Sequence, residues 1–240
     1  MSHVYKLLGA AAAVTMMLSA TQVSAVPVVY EGVDNSPGGV LGVNSTAARN
    51  NFLSNLSGVG TEDFESFADG DIPPLNLNFP GSSSGLTAVL SGGGEIETGT
   101  PAGRFATSGS NFVEINSGNN FQISFGTAIS AFGFNGTDIG DFSGQFTLVL
   151  TDILNQTTSY DIDGSSTSGS SLFWGFIDSN NSYTNIAFTS TTGSDILGFD
   201  DMTIGDAEQI ITGEVPEPGT LTLIGLGLLA FGRRFISKAK

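Results

Sequence analysis

Gln145-Phe146-Thr147-Leu148-Val149-Leu150-Thr151 is the stretch whose reading decides the fold. Phe146, Leu148 and Leu150 alternate with Thr147, Val149 and Thr151. Successive side chains of a strand point to opposite faces, so this period of two marks a strand with one face buried. Short segments of the same kind recur on both sides of it. They are Glu62 to Phe67, Leu86 to Leu90, Arg104 to Thr107, Asn111 to Asn116, Phe121 to Phe125 and Ala131 to Asn135. Thr157 to Ile162, Leu172 to Ile177, Tyr183 to Thr189 and Ile196 to Ile204 follow. Between them lie turn-forming runs such as Ser91 to Gly94, Ser117 to Asn120 and Asp163 to Ser171. About eleven short strands separated by regular turn signals predict an all-β fold, a jelly-roll-like two-sheet β-sandwich over residues 60–213.

Residues 26–59 read as an N-terminal segment with one helix, and a short strand is expected at Pro27 to Tyr30. Asn44-Ser45-Thr46 offer caps, Ala48, Phe52, Leu53 and Leu56 share a face at helical spacing, and Gly58 is a stop. The expected role of this helix is to cover an end or edge of a sheet.

Residues 1–25 read as a signal peptide. Lys6 precedes an apolar core from Leu7 to Leu18, and Val23-Ser24-Ala25 supplies small residues for cleavage after Ala25. An exported chain without cysteine is stabilised by burial, and a metal ion is a further device open to it. All 23 acidic residues lie from Glu31 to Glu217, against only Arg49 and Arg104 in that span, a formal charge of −21. Such a surface repels nucleic acid and anionic lipid and attracts divalent cations.

Two acidic segments break the strand alternation alike. Phe64 and Phe67 flank Glu65-Ser66, and Phe199 and Met202 flank Asp200-Asp201. Apolar residues three apart cannot share a face of a regular strand, so each place predicts a bulge or bend, a device that re-aims side chains. One segment opens the β body and the other closes it. Glu65, Asp200 and Asp201 are therefore candidate Ca²⁺ ligands, because that ion accepts about six to eight oxygens in variable geometry. The equal alternative is that they are solvated turn acids. Asp138 and Asp141 in Gly136-Thr137-Asp138-Ile139-Gly140-Asp141 form a weaker candidate, since Asp-x-x-Asp in a Gly-containing loop more often shapes a turn. Asp161-x-Asp163-Gly164 is weaker still.

Catalytic sites built on Ser-His-Asp, Cys-His or a Schiff-base lysine are excluded from the body, whose span holds no His, Cys or Lys. Gly92-Gly93-Gly94 lacks the Lys-Ser/Thr of a phosphate loop. A glycosidase needs only two suitably spaced carboxylates, so a secreted polysaccharide-cleaving enzyme stays open as the alternative to a non-enzymatic body.

At the other end, Val215-Pro216-Glu217-Pro218-Gly219 precedes an apolar run from Leu221 to Phe231, then Arg233-Arg234, Lys238 and Lys240. The twelve residues Leu221 to Gly232 form a helix of about 18 Å, short for a hydrocarbon core of about 30 Å. The basic tail predicts a cytoplasmic end and an exported body. This layout resembles the PEP-CTERM sorting signal, here residues 214–240. The resemblance implies export by Sec in a Gram-negative bacterium and an intermediate held in the inner membrane. It also implies cleavage by an exosortase near Pro216-Glu217-Pro218 and delivery to the cell surface or an exopolysaccharide (biofilm) matrix.

The body also resembles a recurring type among such proteins. The blocks are Arg49 with Phe52, Thr61-Glu62-Asp63-Phe64-Glu65, Arg104-Phe105-Ala106-Thr107, Phe132-Gly133-Phe134 and Gly198-Phe199-Asp200-Asp201-Met202. That resemblance implies secretion and a β fold and no reaction. The expectation is a structural or carbohydrate-binding body, with Tyr160, Trp174 and Tyr183 as candidate sugar-stacking aromatics.

Overall fold

The computed structural model describes residues 27–211, except 36, 37, 119, 143 and 194. The expected signal-peptide cleavage at Ala25 and the sorting residues Val215, Pro216, Glu217, Pro218, Arg233 and Arg234 lie outside the described residues. The chain begins with β1 (Val28–Asp34), α1 (Val43–Leu53), β2 (Gly60–Glu62), β3 (Leu75–Asn78), β4 (Thr87–Ser91) and β5 (Glu95–Thr98). Next come β6 (Asn111–Asn116), β7 (Gln122–Ile129), β8 (Ala131–Thr137) and β9 (Phe146–Asp152). It closes with β10 (Thr157–Ile162), β11 (Ser171–Ile177), β12 (Tyr183–Ser190) and β13 (Ile196–Gly205).

These strands form the expected two-sheet sandwich. One sheet runs β1-β11-β8-β13-β6-β5 with β2 beside β13, and the other runs β10-β9-β12-β7-β4-β3. Every strand pair is antiparallel. In β9 the predicted alternation is realised, with Phe146, Leu148 and Leu150 buried between the sheets. The aromatic centre of that core is Phe132, Phe134, Phe188 and Phe199, with Phe134 stacked on Phe199 at 4.7 Å.

The two sheets differ in what covers their outer faces. Every residue of β8 and of β11 is buried, because Phe105 and Thr107 meet Thr137 and Asn135 towards the end of β8 and α1 packs over one end of the first sheet. There Ala48, Phe52 and Leu56 meet Ala131, Phe173 and Ile177 in a second small core. Close approach needs small residues beneath the helix. Gly133 and Gly175 are register partners, and a Cβ on Gly133 would stand 3.0 Å from the Phe52 ring. The helix thus covers a face near the β1 edge. Its start differs from expectation too. Gly42 is the cap residue and donates no side chain, so Asp34 of β1 accepts from Asn44 N–H at 3.0 Å and Ser45 N–H at 2.7 Å.

Two expected strands are not strands. Arg104 to Thr107 crosses the outer face of the first sheet, and Thr107 gives its N–H to the Asp200 side chain at 2.7 Å instead of to a ladder. Pairing after β2 stops at Glu62, since Phe64 turns left-handed (φ 59) and Glu62 accepts its N–H at 2.9 Å. β3 and β5 are strands that the turn signals hid. Trp174 and Tyr183 lie in the core and Tyr160 packs on Trp174 at 5.8 Å, which removes all three as an exposed stacking platform.

Candidate functional site

Among the described residues nothing covers the outer face of the six-stranded sheet, and strand register fixes what stands there. Thr157 of β10 faces Thr151 of β9, which faces Asn185 of β12. Asn185 faces Ser124 of β7, which faces Val89 of β4, which faces Asn76 of β3. This row crosses all six strands, five spacings of about 4.8 Å, or about 24 Å in all. Asn185 Nδ2 donates to Ser124 Oγ at 3.0 Å within it. A second row runs Ser159, Val149, Ala187, Gln122, Ser91. The face is hydroxyl- and amide-rich, and Asp161, which accepts the Thr147 hydroxyl at 2.8 Å, is the charged group among these strands' outward residues.

The sequence-expected acids sit elsewhere, against the first sheet. β13 does pair with β2, and its ladder to β8 slips between Asp200 and Thr203, where Asp201 turns left-handed (φ 49). Both breaks in alternation are thus left-handed turns. Asp200 and Asp201 are brought together and buried. Asp200 Oδ2 accepts Thr107 N–H at 2.7 Å, the Thr107 hydroxyl at 2.8 Å and Ser108 N–H at 3.1 Å. Asp201 accepts the Ser108 hydroxyl at 2.7 Å and Asn135 Nδ2 at 3.0 Å. Glu65 is exposed and holds the far side of the same segment, accepting Ser110 and Asn111 N–H at 2.6 Å each. These carboxylates anchor residues 107–111 to the sheet. Burial first, then the neighbouring Asp201 charge, pushes Asp200 up to about 7 against the donors that favour its ionised form.

A second carboxylate corner lies at the end of β8. Asp138, left-handed (φ 62) and 2 % exposed, accepts Gly169 N–H at 2.7 Å. Asp195, 3 % exposed, accepts Gly140 N–H at 2.9 Å through Oδ2 and meets the Asp141 carboxyl. Asp195 Oδ1 and Asp141 Oδ1 are buried without a hydrogen-bond partner. Arg104 binds Glu114 at 2.9 Å and stands 3.8 Å from Asp138. Burial and then the Asp141 and Asp138 charges push Asp195 up to about 6; burial and then the Asp138 charge raise Asp141. A cavity of about 380 Å³ lined by Arg104, Asp138, Asp141, Phe142 and Ser168 opens beside them. Among the described residues no group of three or more acidic, His or Cys side chains is arranged to enclose a metal ion. Sequence reasoning missed Asp195, which lies in a loop without periodicity.

Residues 214–237 match the PEP-CTERM protein-sorting motif. The chain therefore carries the signal of an exported, exosortase-sorted protein, and its body is of unknown function. Comparison with curated proteins gives no match. Among solved structures, the K2 cleaved adhesin domain of Lys-gingipain is 16 % identical, with TM-score 0.39, over 61 % of this chain and 97 % of that one. The C-terminal family 22 carbohydrate-binding module of Clostridium thermocellum Xyn10B is 14 % identical, with TM-score 0.33, over 63 % and 94 %. The CBM22-1 xylan-binding domain of Paenibacillus barcinonensis Xyn10C is 15 % identical, with TM-score 0.32, over 61 % and 99 %. Likeness at that level transfers no ligand and no activity. Among the described residues no helix is long and apolar enough to cross a membrane.

Proposed function

We propose that the sorted protein is a non-enzymatic component of the cell surface or exopolysaccharide matrix, whose body binds neutral polysaccharide on the open face of its six-stranded sheet. The observation that supports this reading is the scarcity of charge there. A body whose residues 26–213 carry a formal charge of −19 presents, on the sheet face left uncovered among the described residues, rows of Thr, Ser, Asn and Gln interrupted by Val89, Val149 and Ala187, with Asp161 as the charged exception. Hydroxyl and amide groups both donate and accept, as sugar hydroxyls do, and a neutral face avoids stripping water from carboxylates on contact. The rows repeat at one strand spacing, about 4.8 Å, close to the length of one sugar ring, so a chain lying across the strands meets one side chain per step, polar at most of them and Val89, Val149 or Ala187 at the others. With no exposed aromatic among the described residues of that face the contact is wet, which favours weak binding at many sites over one tight site.

The test is partition of the full chain onto insoluble cellulose, with alginate gel as the anionic comparison and a reducing-end assay on the same samples. Retention on cellulose, exclusion from alginate, and loss of at least about tenfold in affinity with Ser124→Asp plus Asn185→Asp are expected. Equal partition onto both, or binding indifferent to that double variant, would remove the face as the site. New reducing ends would transfer the protein to the carboxylate-dependent enzymes.

A further inference from the structure

We infer that Arg49 on α1 is the docking point for the chain's own C-terminal segment, and that it takes the carboxylate of Glu214. Between Glu31 and Glu217 the chain has two cations, and they are used differently. Arg104 binds Glu114 at 2.9 Å and stands 3.8 Å from Asp138. Arg49 makes no ion pair among the described residues, and its Nε is buried without a hydrogen-bond partner. A guanidinium presents its donors in a fixed fork that fits a carboxylate, and a buried donor left unpaired costs stability. What Arg49 lacks is an anion, in a body that is rich in them.

The direction in which the chain leaves the body supplies one. Leu56 and Ile210 form an antiparallel bridge. On either side of it Ser57 N–H donates to the Gln209 carbonyl and Ile211 N–H to the Asn55 carbonyl, each at 2.8 Å. Residues 209–211 therefore run against 55–57, which points the chain back along α1 towards its start. Arg49, Leu53 and Leu56 stand at i, i+4 and i+7, one stripe of the helix. Leu53 and Ile210 pack against the same small core, so that stripe is the side on which the chain departs. From Asn55 back to Arg49 is about 9 Å of helix. Three extended residues, Thr212 to Glu214, cover about 10 Å beyond Ile211. Thr212 and Gly213 are uncharged, so Glu214 is the first carboxylate to arrive, and Glu217 lies about another 10 Å on. Glu214 is also the first residue of the matched sorting motif. Held by Arg49, it leaves only Val215 between the fastened residue and Pro216, so the motif stands against the body and not on a free linker.

The chain has no cysteine, so introduced thiol pairs report where residue 215 goes while Arg49 and Glu214 stay in place. Thr46 is exposed one turn before Arg49 on the same side of α1, and Ala47 is exposed on the opposite side. The full chain in mild detergent, carrying Val215→Cys with Thr46→Cys or with Ala47→Cys, is oxidised with glutathione disulfide. After alkylation and denaturation, trypsin cuts at Arg104, and a closed pair keeps the two fragments joined until reduction. The Thr46 pair is expected to close at least about tenfold faster than the Ala47 pair, because docking raises the effective concentration on one side only. Arg49→Gln or Glu214→Gln should each remove that preference. Arg49→Glu with Glu214→Arg should restore it, which a variant that fails to fold cannot do. High salt should weaken the preference. Equal rates for the two pairs would overturn the docking. A preference indifferent to Arg49→Gln and Glu214→Gln would overturn the assignment of the partners. Neither result bears on cellulose binding, which is read on the other sheet.

Discussion

Thr107 gives its backbone N–H, at 2.7 Å, and offers its hydroxyl, at 2.8 Å, to the same carboxylate oxygen of Asp200. The hydroxyl also lies 3.1 Å from Asp201 Oδ2 and accepts Asn135 Nδ2 at 3.0 Å. The segment before β6 is therefore fastened to the centre of the first sheet by a polar cluster where a strand ladder was expected. Thr107→Val keeps the shape and removes the hydroxyl, leaving buried acceptors short of a donor. The expected loss is about 1–3 kcal/mol of unfolding free energy by urea titration, and Thr107→Ser should recover most of it.

The charge state of Asp200 gives a pH dependence with a definite sign. Its folded value, up to about 7, lies above the ordinary 3.8. The folded state thus keeps a proton that the unfolded chain releases near pH 4. Stability from this group is complete in acid and declines as pH rises from about 4 to about 7, by at most about 1.4 kcal/mol per pH unit. Urea midpoints at about pH 4.5, 6 and 7.5 should fall in that order. Asp200→Asn, which cannot titrate, should start lower and show a shallower decline; a flat wild-type profile would contradict the assignment.

How much of this was legible in the sequence follows from what each residue had to signal. Period two exposed β9, and two breaks in period two exposed the left-handed turns at Phe64 and Asp201. Arg104 to Thr107 alternates like a strand, but its backbone donors are taken by side chains from a distant strand, which no local pattern encodes. Leu75 and Leu77 alternate with Asn76 and Asn78, in a run of four residues that prolines on either side disguise. Asp195 had no signal, because what matters about it is the company of Asp141, distant in sequence. The polar face emerged only once register aligned hydroxyl and amide groups from six strands.

The glycine pair under α1 can be tested directly. A Cβ on Gly133 would stand 2.8 Å from Phe173 Cζ and 3.0 Å from Phe52 Cε1, both inside the small core that fastens the helix. Rings fixed by packing cannot yield without moving the helix, so Gly133→Ala should cost about 1–3 kcal/mol. Phe52→Leu, which vacates part of that space, should cost less in the Gly133→Ala background than alone. Strict additivity in this double-mutant cycle would show that the glycine does not set the helix height.

The C-terminal segment makes a prediction independent of the body. Deleting Val215 to Lys240 removes both the Pro-Glu-Pro element and the apolar run with its basic end. If that segment holds the unprocessed chain in the inner membrane, the truncated protein should leave the membrane fraction and accumulate in the soluble exported fraction. Arg233→Glu with Arg234→Glu separates retention from cleavage. Losing the positive end should weaken the cytoplasmic hold of the tail while Pro216, Glu217 and Pro218 stay intact. Such a variant is expected to be exported uncut, as a longer species on gels. Unchanged fractionation of the deletion, measured beside a wild-type control, would contradict a sorting role for residues 214–240.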